Sequence, residues 1–583
     1  MNISEYDILK AVMRHSLSKQ RVLADITGRS LGSVNAGLRQ LMAEGYLDEK
    51  GKPTRKAEKL YEASRPKNAI ILAAGFGMRM VPINMETPKG LLKVHGEPLV
   101  ERQIRQLHEV GIKDITIVVG YMKEEYEYLI DEFGVNLIVN ADYASTNNIH
   151  SLHRAAKQLH QTYIVPCDIY SDTNPFSEHE FYSWYLMSEQ TSVKSAYRVN
   201  RKMEIVRTAA HTAGNRMIGI AYVDEKDSEK LKKELDQLCA DPQNDNLFWE
   251  EALIHNGKMD IPARMAKEND VIEIDTYEQL RELDNNSNDL HSDAISTIAE
   301  VFGCQPEEIT NITVLKKGMT NRSFLFSCKG EKYIMRIPGE GTDKLINRRQ
   351  EAIVYETIRG TGLCDDVVYI NPDNGYKITK FLEGIRVADP ENEDDLQRCM
   401  TKLKGFHAMK LSVDHDFDIF GQIEFYETLW EGAPSVYRDY LQTKEHVLSL
   451  QNYINAHREE RILTHIDAVP DNFLFYTDEN GEEDLQLTDW EYAGMQDPHV
   501  DIAMFSIYSL YSKQQIDHLI DIYFENQCPE ETRTKIYCYV AACGLLWSNW
   551  CEYKRSLGVE FGEYSLRQYR FAKDFWRFAS ERM

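Results

Sequence analysis

The sequence predicts a multidomain protein in which an α/β domain follows a small helical module and precedes a larger C-terminal domain. At 583 residues the chain exceeds what one hydrophobic core organises, so three or four domains are expected. From residue 67 onward, apolar runs that suit buried strands alternate with helical patterns, which favours a mostly parallel sheet. The first 65 residues hold twelve Lys or Arg against eight Asp or Glu, although the whole chain carries −26. This asymmetry separates the N-terminal part from an acidic remainder.

Composition narrows the class of protein. Hydrophobic residues make up 43% and aromatic residues 10%, which indicates globular domains. A net charge of −26 argues against general binding to nucleic acid or anionic membranes, so anionic substrates must be held by local cations and metal ions. Ten cysteines without a Cys-x-x-Cys pair suit reduced thiols in a cytoplasmic protein. We find no signal peptide, and the longest apolar stretch, 536–550, is too short for membrane insertion.

Residues 1–66 are predicted to form the small basic module. Apolar residues at helical spacing indicate three helices, and a short strand and turn follow over residues 45–53. Three helices and a wing resemble a winged helix-turn-helix, which would contact DNA or would serve as a packing, dimerisation or sensor unit. Both interpretations stay open. The DNA interpretation places four side chains in the groove: Arg29, Ser33, Asn35 and Arg39.

A glycine-rich turn follows the first apolar run of the central domain. Residues 69–74 suit a buried strand, which breaks at Gly75 and Gly77 and leads to two cations, Arg79 and Lys89. Backbone N–H groups in such a turn can approach a phosphate chain closely. The two cations can then neutralise the phosphates that the turn has positioned.

The turn belongs to a longer pattern. With Pro82, the Pro88-Lys89 pair and Val94-x-Gly96-x-Pro98, it resembles the signature of the sugar-nucleotide-type nucleotidyltransferases. The resemblance implies an α/β, Rossmann-like domain over residues 67–284 that uses a nucleoside triphosphate and Mg²⁺. It also implies that Arg79 holds the triphosphate and that Lys89 stabilises the pentacoordinate phosphorus, as catalytic residues.

Two acids at the ends of predicted strands complete this site. Asp168 follows the apolar run at 163–166, and Asp275 follows the run at 271–274. Magnesium triphosphates need hard oxygen ligands, and the resemblance assigns that role to these two carboxylates. The nucleotide-binding residues that the resemblance implies are Leu72, Ala74, Gly75, Gly77, Gly120, Tyr121 and Asn147.

The residues beyond the signature suggest a branch of this family. The stretches 137–140 and 147–152, together with 248–250, look like the cytidylyltransferases that act on phosphocholine. Trp249 and Glu250 would then bind the substrate, because a trimethylammonium group favours an aromatic face with a nearby carboxylate. Two alternatives stay open: Trp249 is a core aromatic, or the substrate is 2-aminoethylphosphonate.

The C-terminal domain carries the spacing of a kinase catalytic loop. His465-x-Asp467 is followed by Asn472, five residues after the aspartate, and a strand ends at Asp489. The pattern resembles choline and aminoglycoside kinases and implies a protein-kinase-like α+β domain over residues 285–583. In that family Asp467 would accept or orient the substrate hydroxyl proton, as a catalytic residue. Asn472 and Asp489 would hold Mg²⁺.

The same resemblance places a nucleotide-binding lobe before the loop. It rests on the stretch 317–324, which contains Asn321, and on Arg336 at the position of the protein-kinase strand lysine. Glu351 matches the helix acid that pairs with this cation. Phe381 lies in a stretch that resembles the adenine-binding hinge.

Aromatic side chains near the C-terminus suggest a cage for a quaternary ammonium group. Trp547 and Trp550 share a helical face and match the Trp-x-x-Trp pair of choline kinases, and Tyr492, Tyr564 and Tyr569 could contribute. The alternative is a stripe of core aromatics.

These resemblances imply a bifunctional enzyme, a choline kinase and choline-phosphate cytidylyltransferase. Choline and ATP would give phosphocholine, and phosphocholine with CTP would give CDP-choline and pyrophosphate, with Mg²⁺ at both steps. The pathway it resembles decorates bacterial surface glycans. Ethanolamine or 2-aminoethylphosphonate specificity is one alternative, and a ligand-sensing transcriptional regulator is another.

Overall fold

The computed structural model describes all residues except 16–18, 194, 210–211, 268–269, 316–320, 340–344, 365–366, 478–480 and 557–560. Residues 317–320 of the predicted nucleotide-binding lobe therefore lie outside the described residues. The chain divides into two compact units: Met1–Glu307 with Ile312–Val314, and Glu308–Asn311 with Leu315–Met583. Within the described ranges, no helix has the length and hydropathy needed to span a bilayer.

The first unit begins with four short helices. They are Ile3–His15, Gln20–Thr27, Leu31–Ala43 and Arg55–Ala63. An isolated bridge between Leu47 and Pro53 stands where the wing was predicted. The three predicted helices are thus present, and the winged form itself stays a prediction.

This helical module packs on the central domain of the same unit. The Tyr61 ring stacks on His179 at 3.5 Å, and the Tyr6 ring stacks on Phe181 at 5.6 Å. Between these stacks, Lys10 Nζ lies 3.1 Å from Glu180 Oε2. The module therefore shares a buried, partly ionic interface with the segment that follows Tyr170.

The central domain is built on a seven-stranded sheet. In sheet order its strands are Ala263–Ala266, Trp184–Ser192, Gly214–Val223, Thr162–Pro166, Asn68–Ala73, Asp114–Val119 and Asn136–Val139. The last four pair in parallel, as predicted from alternating strands and helices, whereas Gly214–Val223 runs antiparallel to both of its neighbours. Because parallel strands end at one edge, residues that follow them can meet there.

Helices and smaller sheets surround this sheet. The helices are Leu99–Glu109, Tyr128–Phe133, Asn148–Arg154, Glu225–Leu238, Tyr277–Leu283 and Asp293–Phe302. A four-stranded sheet orders Ile254–His255, Lys258–Met259, Ile205–Arg207 and Tyr197–Val199, and two-stranded pairs join Lys93–Val94 to Glu97–Pro98 and Ile169–Tyr170 to Ile272–Glu273.

The segment 284–289, at the predicted boundary between the two larger domains, packs against the first unit. His95 N donates to Asp284 Oδ2 at 2.6 Å, and Ser287 Oγ donates to Lys93 O at 2.7 Å. Two polar residues of this segment thus pair with the Lys93–Pro98 hairpin. The first unit continues through a further helix to Glu307 and does not end at residue 284.

The second unit has a strand-rich part followed by a helical part. The strand Thr310–Val314 is divided between the units, because residues 310–311 belong to the second and residues 312–314 to the first. In the second unit, an antiparallel sheet orders Asn321–Cys328, Glu331–Pro338, Lys377–Lys380 and Tyr369–Ile370. Short strands follow at Arg386–Val387, Ile462–Thr464, Phe473–Thr477, Glu483–Leu487 and Gly494–Gln496. The helices are Arg348–Ile358, Glu393–Ala408, Ile419–Thr428, Tyr440–Ser449, Gln451–His457, Val500–Tyr508, Lys513–Tyr523, Glu530–Ser556 and Glu563–Ser580.

The 27-residue helix Glu530–Ser556 runs through the core of this second unit. Its residues from Thr534 to Cys551 are buried all round, as expected for a helix enclosed by others. Burial on all sides accounts for the apolar run at 536–550.

Candidate active sites

In the first unit, the strand Asn68–Ala73 delivers the glycine-rich turn to the carboxyl edge of the sheet. Asn84 Nδ2 donates to the carbonyls of Phe76 and Gly77 at 3.0 and 3.1 Å, and these hydrogen bonds fix the backbone of the turn at those residues. Gly77 has φ +66°, a conformation that disfavours any side chain. The turn is therefore held in one shape by its own chain.

Three carboxylates meet beside this turn. Asp168, Glu273 and Asp275 each offer an oxygen within 4.8 Å of the others. Sequence reasoning found the two aspartates and missed Glu273. A signal existed, since residues two apart on a strand point to the same face. Glu273 precedes Asp275 by two positions, at the end of the strand Ile272–Glu273.

Two cations lie on these carboxylates. Lys89 Nζ contacts Asp168 and lies 2.8 Å from Asp275 Oδ1, while Arg79 Nη1 lies 2.9 Å from Asp275 Oδ2. Burial lowers the pKa of Lys89, but the charges of Asp168 and Asp275 outweigh this effect and raise that pKa above its ordinary value. The catalytic cations and the acids that sequence predicted thus form one cluster.

The donor set fits a magnesium ion. Carboxylate oxygens are the ligands that Mg²⁺ prefers. Asp168 Oδ1 is buried and has no hydrogen-bond partner among the residues that the structure describes, so it keeps a lone pair for a cation. Asp168 and Asp275, with Glu273 beside them, are the residues that would hold the ion.

A cavity of about 330 Å³ opens over this cluster. The predicted residues that line it are Leu72, Ala74, Gly75, Gly77, Arg79, Lys89, Asn147, Asp168 and Asp275. Gly120 and Tyr121 lie behind the turn, where Tyr121 N donates to Ala74 O at 3.1 Å. Residues that the site predictions omitted also line it: Tyr143, Thr146, Asn148, Ser151, Pro166, Cys167 and Phe248.

The predicted substrate residues Trp249 and Glu250 do not line this cavity. Trp249 is 0% exposed and packs in the core against Tyr185, so the core alternative describes it. Its neighbour Phe248 is 60% exposed and lines the cavity instead. Glu250 accepts a hydrogen bond from Tyr185 Oη at 2.9 Å, and burial raises its pKa to about 7.

In the second unit, the predicted catalytic loop is fixed by its backbone. Asp501 accepts from His465 N at 3.0 Å and from Ile466 N at 2.7 Å. Asn472 Nδ2 donates to Asp467 O at 2.8 Å and to Asp467 Oδ2 at 3.1 Å. The loop thus presents the Asp467 carboxylate beside Asn472, as the kinase spacing predicts.

Acids crowd around Asp467. Burial, followed by the charges of Asp489 and Glu491, raises the pKa of Asp467 to about 8. Repulsion of this kind is relieved by a cation, and Asn472 and Asp489 supply the oxygen donors that suit Mg²⁺. These are the residues that would hold it.

Arg336 and Glu351 form the buried pair that sequence predicted. The Arg336 Nη2 atom lies 2.9 Å from Glu351 Oε2, and Nη1 contacts the other oxygen, so the pair is bidentate. Burial opposes it, but the cations Lys377 and Arg336 lower the pKa of Glu351 to about 2. Arg336 lines a cavity of the second unit, and Glu351 does not.

One cavity of about 760 Å³ joins these groups to an aromatic wall. Predicted residues in its lining are Asn321, Arg336, Asp467, Asn472, Asp489, Tyr492, Trp547 and Trp550. Ring contacts run in sequence through Tyr492, Trp547, Trp550, Phe561, Tyr564 and Tyr508 at centroid distances of 5.1 to 6.4 Å. Sequence spacing could not select Phe561 and Tyr508, because they come from separate segments.

Two predicted kinase residues lie elsewhere. Tyr569 is 4% exposed, stacks on Tyr437, and donates to Asp439 Oδ1 and Thr443 Oγ1, so it is a core residue and not part of the cage. Phe381 does not line the cavity. Its N–H donates to Lys332 O at 3.0 Å, and Thr379 on the preceding strand faces the cavity instead.

Comparison with known proteins matches both domains. Residues 69–176 match the MobA-like NTP transferase domain, and residues 312–542 match the choline/ethanolamine kinase family. A choline-phosphate cytidylyltransferase of Streptococcus pneumoniae is 33% identical over 221 residues, which cover 37% of this chain and 96% of the relative. The chain belongs to the MobA-like NTP transferases. C-terminal to that domain in the sequence, it carries a choline/ethanolamine kinase domain.

Further relatives match each domain. A 2-aminoethylphosphonate cytidylyltransferase of Lancefieldella rimae is 30% identical over 37% of this chain and 92% of its own length. For the kinase domain, protein LicA of Haemophilus influenzae is 26% identical over 43% of this chain and 96% of its own length. The crystal structure of choline kinase LicA from Streptococcus pneumoniae covers 48% of this chain and 97% of that one, at 27% identity and a TM-score of 0.42.

Proposed function

We propose that this chain phosphorylates choline with ATP at the kinase site and then transfers CMP from CTP to phosphocholine at the nucleotidyltransferase site. The observation that carries the proposal is the kinase cavity, where Asp467 and an unbroken run of six aromatic rings share one lining. Aromatic faces attract quaternary ammonium groups, so a choline head among them would leave its hydroxyl toward the acid.

At the kinase site, the residues of the chain would position choline and ATP and neutralise the charge of the phosphates. Asp467 would accept or orient the choline hydroxyl proton, and Arg336, held by Glu351, would contact the ATP phosphates. Mg²⁺, held by Asn472 and Asp489, would supply neutralisation of the phosphate charge. The aromatic wall would exclude water from the cationic end of the substrate.

At the nucleotidyltransferase site, a phosphate oxygen of phosphocholine would attack the α-phosphorus of CTP and pyrophosphate would leave. The attacking phosphate is already anionic, so no general base is needed. The glycine-rich turn would position the triphosphate. Arg79 would hold the triphosphate by its charge, and Lys89 would stabilise the reacting phosphorus. Mg²⁺ held by Asp168 and Asp275 would supply neutralisation between the phosphates.

Choline is favoured over ethanolamine at the kinase site because six rings line its cavity. For the second step, 2-aminoethylphosphonate is the alternative, supported by the Lancefieldella rimae relative. A ligand-sensing regulator is opposed by the complete sets of acids and cations in both cavities. We place the reactions in the cytoplasm, which the ten free cysteines suit. Delivery of the product to surface glycans stays an expectation.

For the N-terminal module we propose a packing role over DNA binding. Arg29 Nη2 is paired with Asp7 Oδ2 at 2.8 Å, and Ser33 Oγ lies 3.4 Å from Ser4 Oγ, so two of the four predicted DNA contacts are used internally. Fluorescence anisotropy of the full chain with duplex DNA tests this. Binding that weakens steeply as salt rises would favour the DNA interpretation.

The test of the proposed function is mass spectrometry of the products from choline, ATP, CTP and Mg²⁺. Asp467→Asn should abolish use of choline while sparing CMP transfer to added phosphocholine. Asp168→Asn should do the reverse, so that phosphocholine accumulates. If either variant blocked both steps equally, the assignment of two independent sites would be wrong. Ethanolamine and 2-aminoethylphosphonate in parallel incubations separate the alternatives.

A further inference from the structure

Lys377 is a buried cation in the kinase cavity to which the mechanism above gives no role. It begins the strand Lys377–Lys380 and stands opposite Arg336 in the sheet register. It is 7% exposed and lines the cavity with Arg336 and Asp489. An ammonium group is costly to bury, so its contacts must compensate for the lost water.

Those contacts reach two successive turns of one helix. Lys377 Nζ donates to Tyr355 Oη at 2.7 Å and lies 3.6 Å from Glu351 Oε1. Glu351 and Tyr355 are four residues apart on the helix Arg348–Ile358, and residues at that spacing share a face. The Lys377 side chain therefore joins the strand Lys377–Lys380 to both Glu351 and Tyr355 of the helix.

The tyrosine extends the connection to the metal-binding segment. Tyr355 Oη also accepts a long hydrogen bond of 3.5 Å from Trp490 N, the residue after Asp489. Asp489 itself has φ +64°, a backbone conformation that non-glycine residues hold only when their surroundings enforce it. Through Tyr355, Lys377 is thus connected to the backbone of the residue that follows Asp489.

We propose that Lys377 is a positioning residue of the kinase reaction, which through Tyr355 holds the Asp489 segment in the place where it would bind Mg²⁺ and the ATP phosphates. The inference rests on the proposed kinase function. Arg336 meets Glu351 directly, and Lys377 acts from the neighbouring strand on the same helix face. Loss of Lys377 should therefore loosen the metal site without altering the aromatic wall.

The experiment compares full-length wild type, Lys377→Met and Tyr355→Phe, because methionine keeps the buried aliphatic volume. Kinase kcat, KM for ATP, KM for choline and the Mg²⁺ concentration for half-maximal rate are measured, and Mg²⁺ binding in the absence of choline is followed separately by calorimetry. We expect Lys377→Met to lower kcat at least 10-fold and to raise the Mg²⁺ requirement at least 3-fold, with KM for choline changed less than 2-fold. Tyr355→Phe should shift the Mg²⁺ requirement the same way by a smaller factor.

Two controls make the outcome readable. CMP transfer to added phosphocholine, measured on the same preparations, should be unchanged. Lys404→Met removes an exposed lysine paired with Glu525 and should match wild type. If Lys377→Met also lost CMP transfer, its effect would not be confined to the kinase site. The Mg²⁺ requirement of Tyr355→Phe would then support or overturn the inference.

An unchanged Mg²⁺ requirement in both variants would overturn the inference. So would a rise confined to KM for ATP, since that indicates direct phosphate contact. Failure of wild type to phosphorylate choline would instead refute the proposed function, which keeps the two failures distinct.

Discussion

The buried carboxylate of Glu180 is the most exacting place to test how the N-terminal module is joined to the nucleotidyltransferase domain. Arg264 donates to both of its oxygens at 2.8 and 2.7 Å, Lys10 adds a contact at 3.1 Å, and Tyr163 Oη donates at 2.9 Å. Burial opposes ionisation, but the charges of Arg264 and Lys10 lower the pKa of Glu180 to about 2.

This pKa sets the size of the expected effect. A fall from 4.5 to about 2 corresponds to about 3 kcal/mol of preferential stabilisation of the ionised folded state. Glu180→Gln leaves Arg264 and Lys10 without their counter-charge, and losing one partner of a buried pair typically costs about 3–5 kcal/mol. We therefore expect the free energy of unfolding of the first unit to fall by about 3 kcal/mol at pH 7.

The sign follows from the direction of the shift. Because the folded pKa is depressed, the stabilisation is fully present above pH 4.5 and is lost as the pH falls toward 2. The difference between wild type and Glu180→Gln should shrink over that window.

Hydrogen exchange read by mass spectrometry reports on each unit separately. Amides of the strand Asn68–Ala73 should exchange about 100-fold faster in Glu180→Gln at pH 7, while those of the helix Glu530–Ser556 should not change. Glu62→Gln, which removes an exposed ion pair with Arg65, is the matched control. Equal protection of the strand in Glu180→Gln and wild type would refute the reasoning.

Three further predictions concern the two sites. Trp547→Leu should raise KM for choline about 2- to 30-fold and leave KM for ATP unchanged in a coupled assay, because a cation–π contact contributes about 0.5–2 kcal/mol; an unaltered KM for choline would remove this ring from the cage. Trp249→Leu should lower the melting temperature of the first unit with no change in KM for phosphocholine, since the side chain is in the core; the opposite pattern would restore it to the site. Gly120→Ala should raise KM for CTP at least 10-fold, because the new Cβ would lie 2.7 Å from Ala74 O and displace the turn; normal CTP kinetics would contradict this.

The regular parts of both folds were predictable because they rest on local patterns. The apolar run at 69–74 forms most of the strand Asn68–Ala73, and the run at 163–166 lies in the strand Thr162–Pro166. Chemistry carried by fixed spacing was equally visible, since Asp467 and Asn472 lie together in the structure.

Aromatic residues were harder to place, for a physical reason. Trp249, Tyr569 and Phe561 look alike in sequence, yet two are buried in cores and the third lines the kinase cavity. Burial of a large ring depends on which distant segments pack around it, and no local periodicity encodes that. Glu273 is a different case, because its position two residues before Asp275 was a signal that the sequence did carry.

The position of Lys89 between Asp168 and Asp275 has a bearing on how the first unit tolerates a chelator. With an ammonium group already resident, the two aspartates do not repel one another when divalent ions are withdrawn. EDTA should therefore arrest CMP transfer while the domain stays folded, and added Mg²⁺ should restore turnover without any refolding delay.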